Sequence, residues 1–372
     1  MKILIACDKF KGSLNALDVC TSIKQGIENA ASQMDCNILP MADGGDGTLE
    51  VLEYALDLER IYVDTINPLG EEMITYFLSN GKDAFIELSK ASGIALIANA
   101  AYNPAELNTI GTGVLIEKAI TMGHSHITIA LGGSCTNDVG LGILSALGYV
   151  FTDQNGNAVK PVGSSLNQIQ DFSGPSINDT TFHIITDVIN PLYGPNGAAH
   201  VFAAQKGASK MMINELDQGM QHFAKVILST KGVEVNAIEG GGAAGGIAAG
   251  LYGLLDASIE SGFKFLSKIV ALEKAIKESD VVVSGEGKLD ASSFGGKVVG
   301  GVIKLCEKYD KPLVLCVGQI DENIEISAVI KSIYTISDKA INKADAIENA
   351  SFYLRELGKD FREDFPEVLP EV

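Results

Sequence analysis

A chain of 372 residues with 46% hydrophobic and 20% charged residues has the balance of a folded globular protein, and it is long enough for two hydrophobic cores. Its formal net charge of −19 argues against nucleic acid and anionic membrane as partners, because both repel an acidic surface. The 40 glycines exceed the usual share of about 7%, and they gather at turns, where bare backbone can approach a ligand.

The first strand is predicted at Lys2–Cys7 and ends in Asp8-Lys9-Phe10-Lys11-Gly12-Ser13. The run MKILIACD is too short for a signal peptide and meets an acid at once. Helical spacing follows over Ala16–Ala30, then a strand at Asn37–Pro40 ending in Asp43-Gly44-Gly45-Asp46-Gly47-Thr48, then a helix at Leu49–Leu56. This strand–loop–helix rhythm predicts a parallel sheet with right-handed crossovers, whose ligands sit beyond the carboxyl ends of the strands.

The character then changes. Ile61–Ile66, Met73–Leu78 and Ala84–Leu88 read as antiparallel strands, and Ala105–Met122 as a helix with Gly111-Thr112-Gly113 in it or at its start. The strand Ile127–Leu131 runs into Gly132-Gly133-Ser134-Cys135-Thr136-Asn137-Asp138, whose composition predicts a tight turn that launches a helix. Tyr149–Thr152 and Ala158–Pro161 flank Asn155-Gly156, a hairpin signal. A strand at Phe182–Val188 and a long helix at Ile213–Thr230 follow. From Ser279 the α/β rhythm returns: a strand at Asp280–Ser284, the loop Gly285-Glu286-Gly287-Lys288-Leu289-Asp290 and a helix at Lys297–Tyr309. Strands at Pro312–Val317 and Ser332–Ile336 and a last helix near Ala344–Leu357 complete the chain. The expected architecture is α/β: a doubly wound, mostly parallel Rossmann-like domain built from residues 1–66 and 268–372, with a second α/β domain, residues 67–267, inserted into it.

The polar strand-end loops carry the chemistry. Lys11 can act as a point charge for phosphate, with Asp8 beside it and Ser13 as a helix cap. Asp43 and Asp46 can take a proton or hold Mg²⁺, while Gly44 and Gly45 let the backbone close in. The segment Gly132 to Asp138, through Gly133, Ser134, Thr136 and Asn137, offers amides and hydroxyls to an anion. Asp187 borders the turn Asn190-Pro191, and Lys206 sits in Gln205-Lys206-Gly207. Gly241 and Gly242 belong to a formal GxGxxG, but no strand pattern frames it as a dinucleotide fingerprint, which leaves a phosphate nest or tight helix packing. Glu286, Lys288 and Asp290 alternate after Gly285, so extended backbone would put them on one face. The metal candidates are Asp46, Glu286 and Asp290. No Walker A lysine, nucleophile elbow or histidine metal pattern occurs. The six separate cysteines form no CxxC pair, which predicts small buried residues in a reducing cytoplasm.

Taken together, Asp8–Ser13, Ala42–Thr48, Tyr102-Asn103-Pro104, Gly111–Gly113, Gly132–Asp138, Asp187–Pro191, Gln205–Gly207, Gly240–Gly246 and Ser284–Asp290 resemble the bacterial glycerate kinase family, in order and along nearly the whole chain. The sequence departs from that pattern at Lys9, where the family usually has Ser, at Asp46, where Glu is usual, and at Cys135, where Ala is more common. The resemblance implies a cytoplasmic enzyme that phosphorylates glycerate with ATP and Mg²⁺, favours 2-phosphoglycerate, and places its site in a cleft between the domains. Two other classes fit the residues alone: a non-catalytic anion- or solute-binding module, and an NAD-dependent hydroxy-acid dehydrogenase.

Overall fold

In the strand Lys2–Cys7, side chains alternate between two faces, and Ile3 to Cys7 are all buried. Ile3, Ile5 and Cys7 pack with Val19, Ile23 and Ile27 of the helix Ala16–Ala30 and with Leu354, Leu357 and Phe361 of the helix Ala350–Asp364. The helix Val298–Tyr309 packs against the sheet as well. A strand covered on both faces has no use for polar residues, which is why these strands read as unbroken apolar runs. The computed structural model describes residues 1–30, 34–97, 101–321, 324 and 326–364.

Two compact units emerge: residues 1–43, 50–55 and 262–372 form one, and residues 44–49 and 56–261 the other. The first unit carries a five-stranded parallel sheet in the order Ile330–Thr335, Leu313–Val317, Val281–Gly285, Lys2–Cys7, Asp35–Ile38. Chain order reverses between Lys2–Cys7 and Val281–Gly285. The loops leaving these adjacent strands, from Asp8 and from Glu286, therefore flank the switch point where such sheets bind ligands.

The second unit has a six-stranded sheet. Ser258–Glu260, Thr181–Ile185, His126–Ala130 and Asp83–Glu87 run parallel, and Glu72–Ser79 and Glu59–Ile66 add an antiparallel edge. The sequence reading grouped residues 56–66 with the first domain. In the structure, Glu59–Ile66 pairs along its whole length with Glu72–Ser79 in the second sheet, so that segment lies in the second unit.

Other elements also differ from the reading. Val150–Thr152 pairs with Asp171–Ser173, and Ala158 contributes only a single bridge to Thr152. The Asn155-Gly156 turn is real, with Asp153 accepting from the Asn155 and Asn157 amides, but it does not return the main partner strand. The helix expected from Ala105 begins at Ile110, because Asn103 holds the preceding residues in a turn by accepting from the Ala105 amide. The glycine-rich stretch includes a buried helix, Ala243–Leu255, whose first residues, Ala244 to Gly246, are left-handed. The last helix is two, Lys343–Glu348 and Ala350–Asp364, separated at Asn349. All six cysteines are free and buried. Among the described residues no helix is long and apolar enough to cross a membrane.

Candidate active site

In the second unit, the glycine loop at residues 44–48 and the loop at 132–138 meet backbone to backbone. A Cβ on Gly132 would collide with the Cα of Gly45, so only hydrogen fits there. Thr48 closes the first loop by donating its hydroxyl to the Gly45 carbonyl at 2.6 Å. Asp46 is exposed on it, with the Ser89 hydroxyl 3.4 Å from its Oδ1.

Beneath the loop lies Glu87, the last residue of its strand, which is fully buried. Its Oε2 accepts from the Gly47 and Leu49 amides at 3.1 Å each, and its Oε1 accepts from the Ser89 hydroxyl at 2.5 Å. The start of the helix Thr48–Ala55 thus already holds an internal anion, and burial pushes the Glu87 carboxyl above its usual range. The sequence reading missed Glu87. The available signal was a carboxylate closing the apolar run Ala84-Phe85-Ile86. Glu87→Ala should lower the unfolding free energy by about 2–5 kcal/mol, since it orphans two amides and a hydroxyl. Glu87→Gln, which still accepts from both amides, should lose less than half as much. Chemical denaturation reads both, and wild-type stability in Glu87→Ala would contradict this role.

Asp138 was expected to contact ligand. It is buried and committed: it accepts from the Thr109 amide and hydroxyl and from the Gly140 and Gly142 amides. The helix that follows, Leu141–Ala146, therefore starts on the protein's own carboxylate. Lys206 is only 3% exposed. Its Nζ donates to the Ser134 hydroxyl oxygen at 2.8 Å and to the Thr136 carbonyl at 2.6 Å, so it fastens the loop from inside. Thr136 Oγ1 and both ends of the Asn137 carboxamide are buried and lack hydrogen-bond partners among the described residues. Such orphans are costly unless something else completes them. Gly133 is exposed at this point and Ser134 half-buried.

At the next strand end, half-buried Asp187 accepts from the Ser261 hydroxyl at 2.6 Å. The Gly241 and Gly242 amides donate to the Ile238 and Asn190 carbonyls, so they form no open phosphate nest. No strand leads into this glycine run, and a dinucleotide turn would require one.

In the first unit, Asp8, Asp43 and Glu286 lie close enough to influence one another. Burial is the main cause that raises the Asp8 carboxyl well above its ordinary value, followed by the Asp43 charge, with Glu286 adding to it. Burial likewise raises Glu286, whose Oε1 has no hydrogen-bond partner among the described residues. Lys11 is exposed beside left-handed Gly12. The Ser13 hydroxyl donates to the Ile347 carbonyl, and the helix is capped instead by Asn15, which accepts from the Asp18 amide.

The predicted single face of Glu286, Lys288 and Asp290 does not persist as a ligand cluster. Lys288 pairs with Asp321 at 2.6 Å and sits 3.6 Å from Asp290. Asp290 caps the turn Ala291–Phe294 by accepting from the Ser292 amide. Gly285 donates no side chain, but it ends the central strand that delivers Glu286. Among the described residues no group of three His, Cys, Asp or Glu side chains is arranged to hold a metal ion. Of the three metal candidates, Glu286, with its unpartnered oxygen, fits that task best.

A family model described as the glycerate kinase family matches residues 3–364. The glycerate 2-kinase of Escherichia coli K12 is 37% identical over 94% of this chain and 96% of its own. The glycerate kinase of Bacillus subtilis 168 is 36% identical over 97% and 96%. A solved structure of a candidate glycerate kinase 2 from Salmonella typhimurium LT2 superposes with a TM-score of 0.82 at 34% identity, covering 99% of both chains. Likeness of this extent, in sequence and in three dimensions, means that the chain belongs to the glycerate kinase family.

Proposed function

We propose that this protein transfers the γ-phosphoryl group of ATP to a hydroxyl of glycerate, giving 2-phosphoglycerate and ADP. The observation that supports this reading most is the convergence of bare-backbone loops and polar groups at the carboxyl ends of the parallel strands. Gly132 is pressed on Gly45, and Ser134 is held by a buried lysine. Phosphoryl transfer asks for positioning and charge neutralisation more than for covalent chemistry.

The new bond joins the substrate oxygen to γ-phosphorus, the bond from that phosphorus to the β,γ-bridging oxygen breaks, and ADP leaves. The attacking hydroxyl gives up its proton to a carboxylate. Asp43 is the first candidate, and Asp187, oriented by Ser261, the second. Lys11 is the lysine proposed to supply positive charge to a phosphate. Glu286 and Asp8 are the carboxylates that would hold Mg²⁺, which neutralises the phosphates when bound. The name of the E. coli relative supports the 2-hydroxyl as acceptor.

The test is ADP release with glycerate and Mg·ATP, followed by a coupled assay. Glycerate-dependent ADP formation is expected, with no effect of NAD(H). Glycerate binding without ADP formation over varied pH and metal would favour a non-catalytic binding module. Hydride transfer to NAD would favour the dehydrogenase class.

A further inference from the structure

We propose that Ser134 donates the hydrogen bond that anchors the substrate's carboxylate, and that Lys206 is the positioning residue that orients its hydroxyl; the proposal rests on the glycerate kinase reading above. The Lys206 ammonium is buried, yet no carboxylate lies within ion-pair distance of it among the described residues, and both its hydrogen-bond partners are neutral oxygens. A buried charge whose hydrogen-bond partners are all neutral is expensive and favours a nearby anion.

Of the titratable groups that act on Lys206, the Asp138 carboxylate favours its charged form from beyond ion-pair distance, while its own oxygens are held by Thr109, Gly140 and Gly142. The Cys135 thiol is pushed up to about 12 by burial and stays neutral. Because Lys206 fills a lone pair of Ser134 Oγ, the Ser134 O–H must point elsewhere. It finds no acceptor among the described residues, and it sits beside exposed Gly133. The result is an outward-facing donor with a positive charge behind it, on a loop that contains no arginine. Beside it Gly133 is bare and exposed, with Ser89 and Asp46 as its side-chain neighbours, whereas Gly132 is packed on Gly45.

Burial also lowers the Lys206 pKa to about 8. An anion favours the protonated form, so its binding is complete below that pH and is lost as pH rises through it.

The experiment compares wild type, Ser134→Ala, Lys206→Met and the double variant, using steady-state kinetics and calorimetric glycerate binding. Each single change should raise the KM for glycerate roughly 10- to 100-fold, the size of a charge-assisted hydrogen bond, with a much smaller change in kcat. The double variant should be little worse than the worse single one, because the two side chains act in series. In wild type the KM should climb above pH about 8, and in Lys206→Met this climb should vanish. Ser134→Ala, a small change at a half-buried position, keeps the test meaningful if Lys206→Met fails to fold. A normal glycerate KM in Ser134→Ala, or strictly additive effects, would overturn the proposal while leaving the kinase reading intact. A wild-type protein without glycerate-dependent ADP release would instead remove the reading on which it rests.

Discussion

Asp43→Asn is expected to lower kcat by roughly 10²–10⁴-fold, the loss that follows removal of a general base, with the fold retained. The expectation comes from its surroundings. Asp43 follows the strand Asp35–Ile38 and acts electrostatically on both Asp8 and Glu286, and burial raises both of those carboxyls. A carboxylate placed beside two others at a strand end is positioned to take the proton of an attacking hydroxyl. Asp187 is the alternative, since its carboxylate is already oriented by Ser261. Turnover measured for Asp43→Asn and Asp187→Asn separates the two: the base is the residue whose neutral isostere abolishes chemistry but leaves glycerate binding. Near-normal turnover in both variants would remove the assignment.

Lys11→Ala should reduce kcat/KM by at least about 10-fold, because a charge-assisted hydrogen bond contributes about 1.5–3 kcal/mol. The chain carries −19, so local cations must oppose the global field when two anions bind. Lys288 is engaged with Asp321 and Asp290, and Lys206 is buried behind Ser134. Exposed Lys11, in the loop leaving a central strand of the first sheet, is the cation proposed to face a phosphate. Lys274, 74% exposed and 3.9 Å from Glu278, is the control, and its alanine variant should be unchanged. Lys24 would be a poorer control, because its ammonium donates to the Cys36 carbonyl at 2.9 Å. Equal small effects at Lys11 and Lys274 would mean that amides and metal neutralise the phosphates unaided.

What the sequence disclosed follows from how each element is buried. Strands covered on both faces, such as Lys2–Cys7, Val281–Gly285 and Leu313–Val317, announce themselves as apolar runs. The unit that holds Glu59–Ile66 depends on its pairing with Glu72–Ser79, a tertiary fact with no local signature. Asp171–Ser173 spans three residues, too few for a period to show. The helix Ala243–Leu255 hides behind its glycines.

The candidate site divides in the same way. Glycine-rich strand-end loops were legible because their composition is rare outside turns. The tasks of individual charges were not. Asp138, Lys206 and Asp290 all stood where a ligand contact was expected, yet folding occupies each with a cap or an internal bond. Glu87 shows the converse, a carboxylate with no motif of its own that organises the loop above it.

Phosphorus NMR of a reaction containing the purified protein, Mg·ATP and glycerate follows the transferred phosphoryl group itself. Phosphoryl transfer to the 2-hydroxyl requires loss of ATP in step with glycerate, appearance of ADP, and one new phosphomonoester resonance split into a doublet by a single carbinol proton. A triplet from a methylene group would move the transfer to the 3-hydroxyl. ATP left intact, or hydrolysed to free phosphate with no new ester, would contradict the proposed phosphoryl transfer to glycerate.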